Sequence, residues 1–257
     1  TGPFPPGIAP MPAAIRILLL ALAVLAGIGA AAIQAEDTPC ATAAECNTRG
    51  TQAYRQGSYP QALDAFAWQL RLAERQEQGG ADSEQALNNL ALTSLKAGQP
   101  GRARAWMNLA LDRGYSGKAT RYNLEQVALK VDYPSLQGLA GHYLRYAGQA
   151  EWESLQIEPV KGGYQASFAL MRIGNPEKLM EYGPAAVGEL SGRLEGQGAL
   201  YRLRSEGLGA GCSLLVWQEG IDLRVVESLG GNCQGYGGMG IAAAGNWVKI
   251  SSQARDD

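Results

Sequence analysis

The chain has a single histidine, His142, among 257 residues. That scarcity removes most histidine-based metal centres and leaves any Ser–His arrangement resting on one residue. A Gly-x-Ser-x-Gly elbow, which would present a nucleophile, is lacking too. Basic clusters are missing: 22 Lys and Arg are scattered among 24 Asp and Glu, so nucleic acid is not an expected partner. Gly207-x-Gly209-x-Gly211 has the glycine spacing of a phosphate loop. No helix pattern follows it, and the amide cradle of such a loop needs a helix N-terminus. Glu151 with Glu153, or Glu189 with Glu195, are the carboxylate pairs a hydrolase could use; they read as solvated strand faces. The expectation is a chain with no catalytic residue, no metal and no cofactor.

What is present begins with a leader. Thr1 to Pro10 is rich in Pro and Gly and shows no periodicity. From Met11 the pattern is that of a secretory signal, with Arg16 ahead of the apolar run Ile17 to Ile28 and the small-residue tract Gly29 to Ala32. Cleavage is expected after Ala35 or Ala32. The alternative is a retained anchor helix over Ile15 to Ile33; with cleavage, the mature chain carries no membrane span. After residue 35 the chain holds 21 Lys and Arg against 24 Asp and Glu, a mild acidic excess. It also holds all four cysteines, an even number in an exported chain, so disulfides are the default. Proximity pairs Cys40 with Cys46 and Cys212 with Cys233. A zinc site is the alternative, against which the spacings and the lone histidine both argue. Composition then divides the chain into a leader at 1–35, a helical domain at 36–134 and a β-domain at 135–257. The division follows Ala, Leu, Gln and Arg giving way to Gly, Tyr, Val and Trp after about Lys130.

The helical half repeats at an offset of 41 positions: Gly50 and Ala91, Gly57 and Gly98, Ala62 and Ala103, Phe66 and Met107. Thr42-x-x-Glu45 reads as a capping box for the first helix. Small residues at Gly50 and Ala62 let two helices approach, while Tyr54 and Phe66 fill the space beside them. In order and chemistry these residues resemble tetratricopeptide (TPR) repeats over roughly Ala44 to Asp112. The Trp usual in the first helix is lacking, and the period exceeds 34 residues, the surplus falling in Arg75 to Ser83. Lys118 to Lys130 is expected as a covering helix. The resemblance implies a concave face built from the first helix of each repeat that binds a peptide or partner helix. Mapped here, that face holds Asn47, Thr51, Tyr54, Arg55, Asn88, Leu92, Leu95 and Lys96, whose amides and cations suit an extended backbone or a terminal carboxylate. The competing possibility is that two repeats form no groove and only pack against the second half.

Asp132-Tyr133-Pro134 ends the helical pattern. Beyond it, alternating runs predict strands at 142–146, 152–158, 164–173, 186–194, 200–204, 213–218, 222–228, 240–244 and 247–250. Eight or nine antiparallel strands give a small closed barrel or a sandwich, making the whole chain α+β. Gly141-His142-Tyr143, the Cys212/Cys233 pair and Gly245-Asn246-Trp247-Val248-Lys249 resemble the small disulfide-bonded barrels of exported bacterial proteins, including lysozyme inhibitors. Such proteins block a hydrolase with a protruding loop, whose nearest analogues here are Asn232 to Met239 and Tyr182 to Gly192. Trp152 and Tyr236 lead the aromatic candidates for a ligand contact, with Tyr164, Phe168, Trp217 and Trp247 behind them. The expected protein is periplasmic or secreted and non-enzymatic, and it binds a protein or peptide partner in the cell envelope. The alternative is a barrel that binds a small ligand or glycan, or inhibits a cell-wall hydrolase such as lysozyme.

Overall fold

A computed structural model describes residues 40–76, 79–173, 186–207, 209–228, 233, 235–238 and 240–254. The leader and its signal segment lie outside the described residues, as do parts of both candidate loops. Among the described residues no helix is long and apolar enough to cross a membrane.

Among the described residues five helices come first. They are α1 (Ala43–Arg55), α2 (Tyr59–Glu74), α3 (Gly80–Lys96), α4 (Pro100–Asp112) and α5 (Lys118–Lys130). The Thr42 hydroxyl caps α1 by accepting the Glu45 N–H at 3.1 Å, and the Glu45 carboxylate turns back to the Ala41 N–H at 3.0 Å. That is the capping-box exchange displaced by one residue. The Cys40–Cys46 disulfide is formed beside it and fastens the incoming strand to the helix. Helices α1, α3 and α4 all close on a glycine in the left-handed region, Gly57, Gly98 and Gly114, with φ between 74° and 76°. The Ser58, Gln99 and Tyr115 N–H groups each reach five residues back, to the carbonyls of Ala53, Ser94 and Ala110. This is the Schellman closure, and the missing side chain is what permits it. At the α1–α2 crossing, a Cβ on Gly50 would stand 2.4 Å from the Phe66 ring, so that glycine sets the approach of the two helices. Ala91 and Met107 are its buried counterparts in the second hairpin.

Eight antiparallel strands follow. They are β1 (Gly141–Gly148), β2 (Glu151–Val160), β3 (Gly163–Arg172), β4 (Ala186–Gln197), β5 (Leu200–Glu206), β6 (Ser213–Glu219), β7 (Asp222–Glu227) and β8 (Gly245–Ser251). Each pairs with the next, and β8 returns to β1 through Tyr143↔Lys249 and Leu144↔Val248, which closes the barrel. A sandwich is thereby excluded. The ninth expected strand, 240–244, is not one. Its main-chain groups are taken by side chains instead: the Ala243 N–H donates to the Tyr236 hydroxyl at 3.1 Å, and the Ala243 carbonyl accepts from the Trp247 indole at 3.1 Å. The segment lies across the end of the barrel where β1 finishes.

Alternate residues point inward and fill the interior, as an eight-stranded barrel allows. Tyr143, Leu155, Ile157, Phe168, Leu214 and Trp247 are part of one buried cluster. Both ends are held by a cation from inside. Where β1 begins, Lys249 Nζ donates to the Gly138 carbonyl at 2.7 Å and the Tyr143 hydroxyl to the Leu139 carbonyl at 2.6 Å. Where β1 finishes, Arg145 pairs with buried Glu153 and donates to the carbonyls of Ala242 and Ala244. The Cys212–Cys233 disulfide is formed and joins the start of β6 to the segment after β7.

Candidate functional site

The helices and the barrel share a second buried cluster, in which Phe66, Leu90 and Met107 of the hairpins meet Leu136, Ala150 and Ile221 of the β half. Polar groups clamp this seam. Arg104 on α4 makes a two-pronged ion pair with Asp222 and also donates to the Lys249 carbonyl at 2.9 Å. Arg71 on α2 pairs with Glu151 and donates to the Gln149 carbonyl at 2.8 Å. Glu74 accepts from the Tyr146 hydroxyl at 2.6 Å, from the Gln149 N–H at 2.7 Å and from Arg113. Burial, reinforced by the Glu74 carboxylate, pushes the Tyr146 phenol well above its ordinary range.

The turn these groups grip is unusual. Gln149 and Ala150, between β1 and β2, both have positive φ, 52° and 60°. Two such residues make the turn that matches strand twist, but Asn-Gly is the pair that adopts it readily. Here α2 supplies part of what the turn pair lacks: Glu74 takes the Gln149 N–H and Arg71 donates to its carbonyl, while the Tyr146 hydroxyl of β1 takes the Ala150 N–H at 2.7 Å. Beside it stands an aromatic trio. Trp106 of α4 meets Trp152 of β2 edge to face with centroids 4.7 Å apart, and Tyr146 lies 5.2 Å from Trp152.

Between the hairpins and the barrel wall remains a cleft of about 960 Å³. Leu90, Pro100, Trp106, Leu144 and Ile250 give it apolar walls, while Ser94, His142, Trp152 and Ser154 add polar groups. The hydroxyl of Ser94 and the indole N–H of Trp152 are buried and make no hydrogen bond among the described residues. Leaving such a group unpaired costs about 1–3 kcal/mol. A second groove, about 640 Å³, runs over the outer faces of β2 to β4 as far as Glu206, along Ser154, Gln156, Ser167 and Ser191. Ser154 lines both.

The residues expected on a first-helix face are divided by the fold. Asn47, Thr51 and Arg55 line a shallow depression on α1. Asn47 also accepts from Asn89 of α3 at 2.8 Å. Tyr54 packs edge-on to Tyr59. Asn88 is turned the other way, donating to Thr120 at 2.9 Å and accepting from Asn123 at 2.8 Å, so it bonds α3 to α5. Leu92 and Leu95 are half-buried and Lys96 is exposed. Of the two leading aromatic candidates, Trp152 stands in the seam, outside the barrel. Tyr236 is buried in the barrel end, with its hydroxyl engaged by Ala243. Phe168 and Trp247 belong to the barrel core, Tyr164 is half-buried against it, and Trp217 is exposed. Glu151 and Glu153 meet arginines of different elements, Arg71 and Arg145, and Glu195 lies near Arg204 at 3.6 Å. Among the described residues no three His, Cys, Asp or Glu side chains come together as a metal site would need. The cleft itself was invisible in sequence, because it forms between elements as far apart in the chain as Leu63 and Ile250; of its residues only Trp152 is a candidate for a ligand contact in the sequence. No family model, no curated protein and no solved structure matches this chain.

Proposed function

We propose that this protein is a non-enzymatic interaction protein of an exported, oxidising compartment such as the periplasm, and that its TPR-like hairpins bind a protein or peptide partner. One observation carries the reading. The clamps on the barrel, Arg71, Glu74, Arg104 and Arg113, come from α2, α4 and the turn after α4, so the side carrying Asn47, Thr51 and Arg55 of α1 is not spent on them. The barrel then acts as a rigid platform rather than as a container, since side chains fill its interior. Two disulfides accord with the compartment. The test is capture of a partner from envelope extract by the full chain, repeated with Arg55→Ala and Lys96→Ala together. Loss of the partner supports the reading; retention at equal strength overturns the assignment to this face. The outer-wall groove, with its row of hydroxyl and amide side chains, favours a second reading, a barrel that binds a glycan or blocks a wall hydrolase. Inhibition of lysozyme by the full chain, unaffected by the Arg55 and Lys96 changes, would select it.

A further inference from the structure

Four of the five tryptophans are engaged by another ring or by a cation: Trp106 with Trp152, Trp247 with Phe168 and Arg145, and Trp68 beneath Arg71. Trp217 is the exception. It stands on the outer wall of β6, 40% exposed, and among the described residues no aromatic ring or cation lies against it. The barrel register sets it in a row that crosses four strands: Leu200 of β5, Trp217, Arg224 of β7 and Asn246 of β8, each directly opposite the next. Residues so paired share one face of the wall. All four are exposed. Two shallow hollows lie along the row, about 390 Å³ at Trp217 and about 520 Å³ reaching Asn246, and Glu219, Arg224 and Val226 line both. The ionisable groups of this trough are thus one arginine and one glutamate, and neither makes an ion pair among the described residues. Arg202 of β5 stands opposite Leu215 and lines neither hollow.

We propose that this row is a binding site for a neutral saccharide chain lying across β6 to β8. The negative face of an indole attracts C–H groups, and a pyranose with equatorial hydroxyls presents a flat face of axial C–H groups to it. The sugar's rim carries hydroxyls, each both donor and acceptor. Arg224 donates, Glu219 accepts and Asn246 does both, so together they meet neighbouring hydroxyls of either polarity. Opposite unpaired charges in one trough also select against an ion: an anion drawn to Arg224 meets Glu219, and a cation drawn to Glu219 meets Arg224. Neighbouring strands stand about 4.8 Å apart, close to the length of one pyranose residue, so successive rings fall on Trp217, Arg224 and Asn246. The trough shares no residue with the groove over β2 to β4 or with the α1 depression, and it stands or falls without either.

The experiment uses the full oxidised chain labelled with ¹⁵N, in which five tryptophans give five indole signals, the Trp217 one being identified by its loss in Trp217→Phe. The probe is cellotriose, a β-linked glucose trimer whose hydroxyls are equatorial. Sorbitol, which carries similar hydroxyls but no ring face, is the control. Cellotriose at millimolar concentration shifts the Trp217 signal saturably and leaves the other four in place, and sorbitol moves none. Arg224→Gln weakens the binding about tenfold, the size of one hydrogen bond to a charged donor. Trp217→Ala keeps the four remaining indole signals, which shows that the barrel is intact, and loses the shift that cellotriose causes at the Asn246 side-chain amide. A Trp217 signal that stays still throughout the millimolar range overturns the proposal, as does an equal shift with sorbitol or equal affinity in Arg224→Gln. Tighter binding of trigalacturonate than of cellotriose overturns it in favour of an anionic occupant. An envelope protein captured by the full chain and lost with Trp217→Ala, while cellotriose moves no signal, overturns it in favour of a protein partner.

Discussion

Gly101 of α4 lies so close to the Ile250 carbonyl of β8 that a Cβ on it would stand 1.9 Å from the oxygen. Backbone meets backbone there, and neither side has a flexible end that could give way. Helix α4 therefore sits on the barrel wall at a distance only glycine allows, which in turn lets Arg104, one turn on, reach both Asp222 and the Lys249 carbonyl. Gly101→Ala is expected to push α4 off β8, with a loss of about 1–3 kcal/mol, typical of overpacking, and a change in the fluorescence of Trp106 and Trp152. Gly98→Ala serves as the comparison. Its Cβ would meet nothing within 4 Å, so only the left-handed φ of 76° is penalised, by about 1–2 kcal/mol, and the seam tryptophans should be unaffected. Urea unfolding followed by tryptophan emission distinguishes the two.

The Arg104–Asp222 pair is a two-pronged clamp on the seam. The Arg104 side chain is 10% exposed and that of Asp222 29%, and Asp222 also accepts the Lys249 N–H at 2.8 Å. Removing one partner strands the other. Asp222→Asn and Arg104→Met are each expected to cost roughly 3 kcal/mol, whereas the pair Arg104→Met with Asp222→Leu should cost less than the sum of the singles. A double-mutant cycle in urea measures the coupling; additive losses would mean the two residues do not act as a pair.

Much of this architecture was legible in the chain. The 41-residue offset fell on Gly57 and Gly98, and the structure gives both the same backbone because a Schellman closure leaves few alternatives. Thr42 and Glu45, the two disulfides, α5 and eight strands are likewise local matters of spacing and alternation. The segment 240–244 misled because alternation is shared by a strand and by a loop whose main chain is taken up by the side chains of Tyr236 and Trp247 beside it. Asn88 misled for a related reason. Position on the first helix of a repeat says which face a residue occupies in an array, but α5 covers that part of α3 and takes the amide for itself. The seam was beyond reach altogether, since Glu74 and Gln149 are ordinary polar residues until α2 is laid beside the first hairpin.

That first hairpin carries a conformational load that a glycine would relieve. Gln149 holds φ of 52°, and among the described residues its side chain makes two long contacts, 3.3 Å to Glu74 and 3.3 Å to Arg75. Gln149→Gly keeps the main-chain bonds to Glu74 and Arg71 and removes the left-handed penalty, so stability should hold or rise by about 0.5–1 kcal/mol. Glu74→Ala removes the acceptor that fixes the turn and takes from Arg113 and from the Tyr146 O–H the carboxylate to which both donate. A loss of about 2–4 kcal/mol is expected, with faster amide exchange at Gln149. Slower or unchanged exchange in Glu74→Ala would mean the turn is stable without α2.

Alkaline pH probes the buried lysine and the buried tyrosines with opposite signs. Lys249 is fully buried, and burial lowers its pKa to about 8 against the opposing pull of the Asp222 carboxylate. Between about pH 8 and the ordinary lysine value of 10.5, the unfolded chain keeps a proton that the folded chain has shed, so stability rises with pH across that interval. Tyr143 and Tyr146 behave in the reverse way. Burial raises both phenols above the ordinary 10.0, so beyond that pH the folded chain retains protons the unfolded one loses, and stability falls. The unfolding midpoint in urea should therefore climb above about pH 8, pass through a maximum near pH 10 and then drop. Lys249→Met should abolish the climb and keep the drop. Asp222→Asn removes the pull that holds Lys249 charged, so its climb should begin at lower pH. A wild-type midpoint that falls steadily from about pH 8 upward would show that Lys249 keeps its proton inside the barrel, held by Gly138 and Asp222 more strongly than burial opposes it.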